Sequence, residues 1–148
     1  MDFHQDPPQL KNLFKQDTAL QRELTRHLPE ELLERYRPVF EEMGRLVVEE
    51  VKPLGDEAEA HPPVHIPYDP WGKRIDEIRV SGAWNRLKDF SAKHNLVATG
   101  YDESLGDRRR VVQVALLHLF SAVSATYSCP LAMTDAAARV LLEIAPPP

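Results

Sequence analysis

Apolar residues recur along most of this chain at helical spacing, and prolines divide them into blocks. After Pro7-Pro8, the series Leu10, Leu13, Phe14, Ala19, Leu20, Leu24 and Leu28 predicts one or two short helices, with Asp17 placed to cap within them. Pro29 suits the first position of a new helix, where its missing N–H costs nothing, and Glu30 and Glu31 complement the helix dipole behind it. Leu32, Leu33, Tyr36, Val39, Phe40, Met43, Leu46, Val47 and Val51 then predict a long amphipathic helix over about 29–51, kinked near Pro38.

The period changes in residues 53–82, where Pro53, Pro62, Pro63, Pro67 and Pro70 argue against a continuous helix. Val64, Ile66 and Tyr68 alternate, Asp69-Pro70-Trp71-Gly72 has the residue preferences of a type I turn, and Ile75, Ile78 and Val80 follow. The pattern predicts a small hairpin or extended loop at about 62–80. Ser81 or Gly82 caps the next helix, buried through Ala83, Trp84, Leu87 and Phe90 and closed near Asn95 by a left-handed residue, with Leu96 and Val97 packing back. Residues 101–107, with Gly100 and Gly106 around them, read as loop.

From Arg108 to about Thr126 almost no polar face remains, and a helix apolar all round is buried all round. A domain this small has difficulty enclosing such a helix, so Val112, Leu116 and Phe120 are expected at an interface. Cys129-Pro130 is expected to break that helix, with a last one over Thr134 to Ile144. The fold class that results is all-α with a small hairpin insert, and 148 residues suit a single helical domain over 1–148.

Charge alters the functional picture more than the structural one. The net charge of −5 provides no global field for nucleic acid or an anionic membrane, so both are disfavoured; the local exception, Arg108-Arg109-Arg110, reads first as a solvated face or ion-pair donors. The first residues have no basic or apolar signal region, no stretch reaches the roughly 18 apolar residues of a membrane span, and a lone Cys129 forms no internal disulfide. A cytoplasmic location is expected.

Candidate chemistry is sparse. His61 and His65 have a ligand-like gap, but Pro62-Pro63 excludes the helix that would align them, and no metal site is expected. Cys129 at a helix start lacks a convincing base, His118 having no evident orienting carboxylate, and reads as a buried structural thiol. Asp135 reads as capping and solubility. Trp84 reads as core, whereas Trp71, in a turn, is a candidate anchor for another surface.

Two stretches exceed generic helix chemistry: Ile66-Pro-Tyr-Asp-Pro-Trp-Gly-Lys-Arg-Ile-Asp-Glu-Ile78 with Ser81-Gly-Ala-Trp84, and Cys129-Pro-Leu-Ala-Met-Thr-Asp-Ala-Ala-Ala138. Together they resemble the N-terminal helical domain of the acyl-CoA dehydrogenase superfamily, in particular the branch with the bacterial alkylation-response flavoprotein. The usual Gly after Met-Thr-Asp is Ala136 here. The resemblance implies an all-α domain that, in the complete protein, precedes a β-domain and a second helical domain, with FAD and an acyl thioester held between them. It implies α,β-dehydrogenation only when a flavin-bearing part or partner chain completes the enzyme, no tight FAD binding by this chain alone, acyl-CoA as ligand of the complex, and an oligomer. No catalytic residue is assigned in this chain. Pro130, Met133, Thr134, Ala137 and Leu141, spaced along one helix face, are the candidate wall of the acyl pocket, and packing on the preceding helix is the alternative. The competing function is a non-enzymatic assembly or DNA-associated module.

Overall fold

The computed structural model describes residues 4–144. Two side-chain caps start the fold: Asn12 accepts the Lys15 N–H ahead of α1 (Leu13–Gln16), and Asp17 accepts the Leu20 N–H at 2.8 Å ahead of α2 (Thr18–His27). The helix α3 (Glu30–Leu46) begins one residue later than expected, with Pro29 as its cap, and runs on through an exposed Pro38.

The first departure from expectation follows. Rather than ending at Val51, the helix widens into a π turn over Val47–Val51, in which the Lys52 N–H reaches back to the Val47 carbonyl, and continues as α4 (Lys52–Ala60). Pro53 therefore lies inside helical backbone, contrary to the break read from it. It follows directly on the wide turn, where the i→i−4 ladder is already interrupted.

The expected hairpin forms from β1 (Val64–Tyr68) and β2 (Arg74–Arg79), antiparallel, with Val64 opposite Arg79 and Ile66 opposite Glu77. Its turn is closed by the Gly72 N–H on the Asp69 carbonyl at 3.1 Å, and the Asp69 side chain accepts from both Trp71 and Lys73 backbone N–H at 2.9 Å. Gly72 has φ of +83°, which a residue with a Cβ rarely adopts. Almost every hairpin side chain is exposed, so this element stands off the helical body.

Ser81 caps α5 (Gly82–Lys93) by accepting the Trp84 N–H. At the other end Asn95 is left-handed, its N–H bonds the Ala92 carbonyl, and the Leu96 N–H bonds Ser91, a Schellman closure that buries Leu96 completely. The segment read as loop contains two 3-10 turns, Ala98–Tyr101 and Glu103–Arg108. Then α6 (Arg109–Ser121) ends about five residues short of expectation, and α7 (Ser128–Ile144) starts about six residues early, so that Cys129-Pro130 forms its first turn instead of a break. The first N–H groups of a helix have no intrahelical acceptor, so Pro130 costs little there.

One hydrophobic cluster joins these pieces, with Phe40, Val47, Val51, Leu87, Val112 and Phe120 fully enclosed. Phe90 stacks on Phe120 with centroids 5.9 Å apart, and Trp84 meets Tyr127 edge-on at 5.0 Å. Gly55 on α4 is so close to the turn after α6 that a Cβ there would lie 2.1 Å from the Val123 carbonyl oxygen. α4 and the turn after α6 approach each other backbone to backbone.

Candidate functional site

The five positions assigned to a pocket wall all lie on α7, and the structure brings them to the surface. Met133 and Leu141 are 69% and 60% exposed, Thr134 and Ala137 are open, and Pro130 is half-buried. Leu131 is the sole buried side chain of that helix among the described residues. The stripe is therefore not core packing within this chain. The Thr134 hydroxyl donates to the Pro130 carbonyl at 2.8 Å, so its proton is already engaged by its own helix. Val140, Leu142 and Ile144 extend the exposed apolar surface.

The interface residues divide. Trp71 projects from the hairpin tip, 88% exposed, and packs on no side chain of the core. Val112, Leu116 and Phe120 are a correction: all three are buried in this chain's own core, because α2, α3, α7, the π turn and the 3-10 turns enclose more of α6 than its composition led us to expect. What α6 leaves uncovered is Val114, with Val111 and Leu117 partly covered.

A polar cluster fixes α7 against the body. Arg110 Nη1 donates to both carboxylate oxygens of Asp135 at 2.8 Å, and the Tyr101 hydroxyl is 2.6 Å from Asp135 Oδ1 and 2.7 Å from its backbone carbonyl. The Arg110 guanidinium also lies over the Tyr101 ring at 4.6 Å and donates to Gln113 Oε1 at 2.7 Å. Gln113 is buried, and its amide donates to the Val97 carbonyl and, at 3.4 Å, to Asp135. Partial burial pushes the Asp135 carboxyl up, but the bonds from Arg110 and Tyr101 outweigh it and hold it below the usual carboxylate range. Asp135 is thus a tertiary anchor, not the cap or solubilising residue it was read as. Arg110 is the ion-pair donor among the three arginines.

Other candidate side chains are dispersed. His65 meets Asp76 at 3.1 Å on the hairpin, whereas His61 bonds the Glu57 carbonyl at 3.0 Å. Cys129 is exposed, contrary to the buried thiol expected. His118 does have a carboxylate partner, Asp17, at 2.8 Å across 101 residues of sequence. Backbone capping of Leu20 first, and His118 in addition, hold Asp17 below its ordinary value against the opposing effect of burial. No group of three His, Cys, Asp or Glu able to hold a metal occurs among the described residues. No helix among them is long and apolar enough to cross a membrane.

The family model described as "Adaptive response protein AidB N-terminal domain" matches residues 5–147. The chain is 38% identical over 143 residues to acyl-CoA dehydrogenase family member 11 of Caenorhabditis elegans, covering 96% of this chain and 23% of that protein. It is 32% identical over 95 residues to the putative acyl-CoA dehydrogenase AidB of Escherichia coli (strain K12), covering 64% of this chain and 18% of the relative. Among solved structures, the Bd2924 apo-form superposes with a TM-score of 0.90 at 47% identity, over 98% of this chain and 29% of that one. The C. elegans ACDH-11 complex with C11-CoA superposes at 0.89 and 38% identity, over 96% and 24%. The chain spans less than a third of each of these proteins. With one helical fold and one family model running through nearly all of it, the chain belongs to the AidB N-terminal domain family of the acyl-CoA dehydrogenase superfamily.

Proposed function

We propose that this chain supplies one wall of the acyl pocket, together with interdomain contacts, in an acyl-CoA dehydrogenase-like flavoprotein whose complete form carries out α,β-dehydrogenation of an acyl thioester. The observation that supports this is the face of α7: an apolar stripe of Met133, Ala137 and Leu141 left open on a helix whose attitude is set by an ion pair at Asp135. Met adapts to irregular apolar shapes and Ala leaves room, which suits a cavity for a flexible hydrocarbon chain. A relative that this chain matches along nearly its whole length has a structure in complex with C11-CoA.

The residues present do not fit a flavin site by themselves. The open face of α7 is apolar, and its one hydroxyl, on Thr134, already donates to Pro130. Nothing on that face would hold a pyrophosphate, so the α7 wall would not itself bind FAD in the complete protein. Titrating the isolated chain into FAD should leave the flavin fluorescence unchanged.

The deciding experiment places Ala137→Phe in the complete, flavin-bearing protein and measures turnover against a series of acyl-CoA chain lengths. Ala137 is exposed here, so the isolated variant should melt as the parent does. The longest accepted chain should shorten while short substrates are spared. Equal losses at every length would sink the pocket assignment.

A further inference from the structure

A recess of about 510 Å³ lies away from α7, between α2 and α3. Three arginines line it, Arg22 and Arg26 from α2 and Arg37 from α3. Arg22 and Arg26 are one helical turn apart and so project from one face, while Leu33 and Arg37, also one turn apart, supply the opposite wall. Its floor is apolar, from Phe14 and Leu33, and its remaining lining is neutral and hydrogen-bonding. No carboxylate among the described residues lines it, although acidic residues outnumber basic ones 23 to 18 in the sequence.

The guanidiniums are only partly used. Arg26 meets Glu23 through Nη1 alone, at 3.0 and 3.3 Å, and Arg37 reaches Glu34 through Nε and Nη2 at 3.4 Å. Arg22 donates through Nε to the Thr18 carbonyl at 3.3 Å and has no carboxylate partner among the described residues. Both Nη groups of Arg22, Nε and Nη2 of Arg26 and Nη1 of Arg37 remain without acceptors among the described residues. We propose that this cleft is an anion site for a phosphate-bearing small molecule, gripped by Arg22, Arg26 and Arg37. A planar carboxylate satisfies one guanidinium fork, whereas a tetrahedral phosphate offers oxygens in several directions and can meet donors from both helices at once. The apolar floor keeps water from one side of the anion, which strengthens each charge-assisted bond. The site shares no residue with the α7 face and stands or falls independently of the pocket reading.

The test follows the arginine Nε–Hε signals of the full chain by NMR while sodium pyrophosphate is added at constant ionic strength. Signals of Arg22, Arg26 and Arg37 should move on one shared saturating curve, with those of Arg74, Arg79 and Arg139 still. Arg22→Gln with Arg26→Gln should weaken binding about tenfold or more with the melting temperature retained, since both side chains are exposed. Arg22→Lys with Arg26→Lys keeps the charge and should also weaken it, because the fork is lost. The proposal is overturned by unsaturating shifts at every arginine, by undiminished affinity in the Lys pair, by acetate binding as tightly as pyrophosphate, or by a DNA duplex displacing it at lower concentration.

Discussion

Replacing Asp135 by Ala tests how α7 is held. The substitution removes the carboxylate that accepts from Arg110, Tyr101 and Gln113. Gln113 keeps its bonds to Val97 and Arg110, Tyr101 keeps the backbone carbonyl of residue 135, and Arg110, with a side chain 42% exposed, regains water. A charge-assisted bond contributes about 1.5–3 kcal/mol when well buried, and with this exposure about 1–2 kcal/mol is the reasonable loss. Leu131 being the only other buried side chain of α7 among the described residues, most of that loss should appear locally. Amide hydrogen exchange over residues 131–144 should then accelerate about 5- to 30-fold, while amides beside Phe40 and Leu87 change far less. Uniform acceleration throughout the chain, or none in α7, would refute the clamp.

Acid should release the same helix. A carboxyl held below its ordinary value stabilises the fold above that value and loses the contribution as pH falls through the lowered one, so α7 protection should drop below about pH 3.8 and be retained at pH 6. Trp71→Ala should change the stability of the isolated chain by less than about 0.5 kcal/mol, against about 3–5 kcal/mol for Phe120→Ala, as read by urea unfolding. A large loss at Trp71 would place it in a core. Gly55→Ala sets a helix-propensity gain of about 1 kcal/mol against an overlap with a backbone oxygen, and the overlap should win by about 1–3 kcal/mol, whereas Gly82→Ala, with nothing within 4 Å, should be neutral. Equal melting temperatures for the two variants would contradict the close approach of α4 to Val123.

Local chemistry was legible in this sequence. The Asp17 and Ser81 caps, the Asn95 closure and the Asp69–Gly72 turn each depend on residues within a few positions, and each formed as expected. Two misplaced helix boundaries share a cause, which is that Pro53 and Pro130 were read as breaks. Pro130 occupies a first turn, where the missing N–H has little to lose, and Pro53 follows directly on the π turn, where the i→i−4 ladder is already interrupted. Pairings over long separations left no periodic trace: Arg110 and Asp135 are 25 residues apart, and Asp17 and His118 are 101. One clue was available in Gln113, a lone amide inside an apolar run, since a buried amide requires partners. The exposure of α7 was not legible, because an apolar stripe reads alike whether its own domain or another covers it.

The wide turn at Val47–Val51 acts as a phase shifter between two halves of one rod. Each residue of an α-helix turns the side chains by about 100°, so the extra residue in that turn sets the azimuth of everything after it. With it, Leu54, Gly55 and Ala58 are turned inward, Gly55 lies against the turn after α6, and the chain leaves Ala60 in the direction from which the hairpin projects. Deleting exposed Glu49 would remove no core side chain, yet it would rotate α4 by about that same angle, carry Gly55 off the Val123 carbonyl and re-aim Trp71. A single-residue gap here is therefore a heading error for the whole arm rather than a missing surface group.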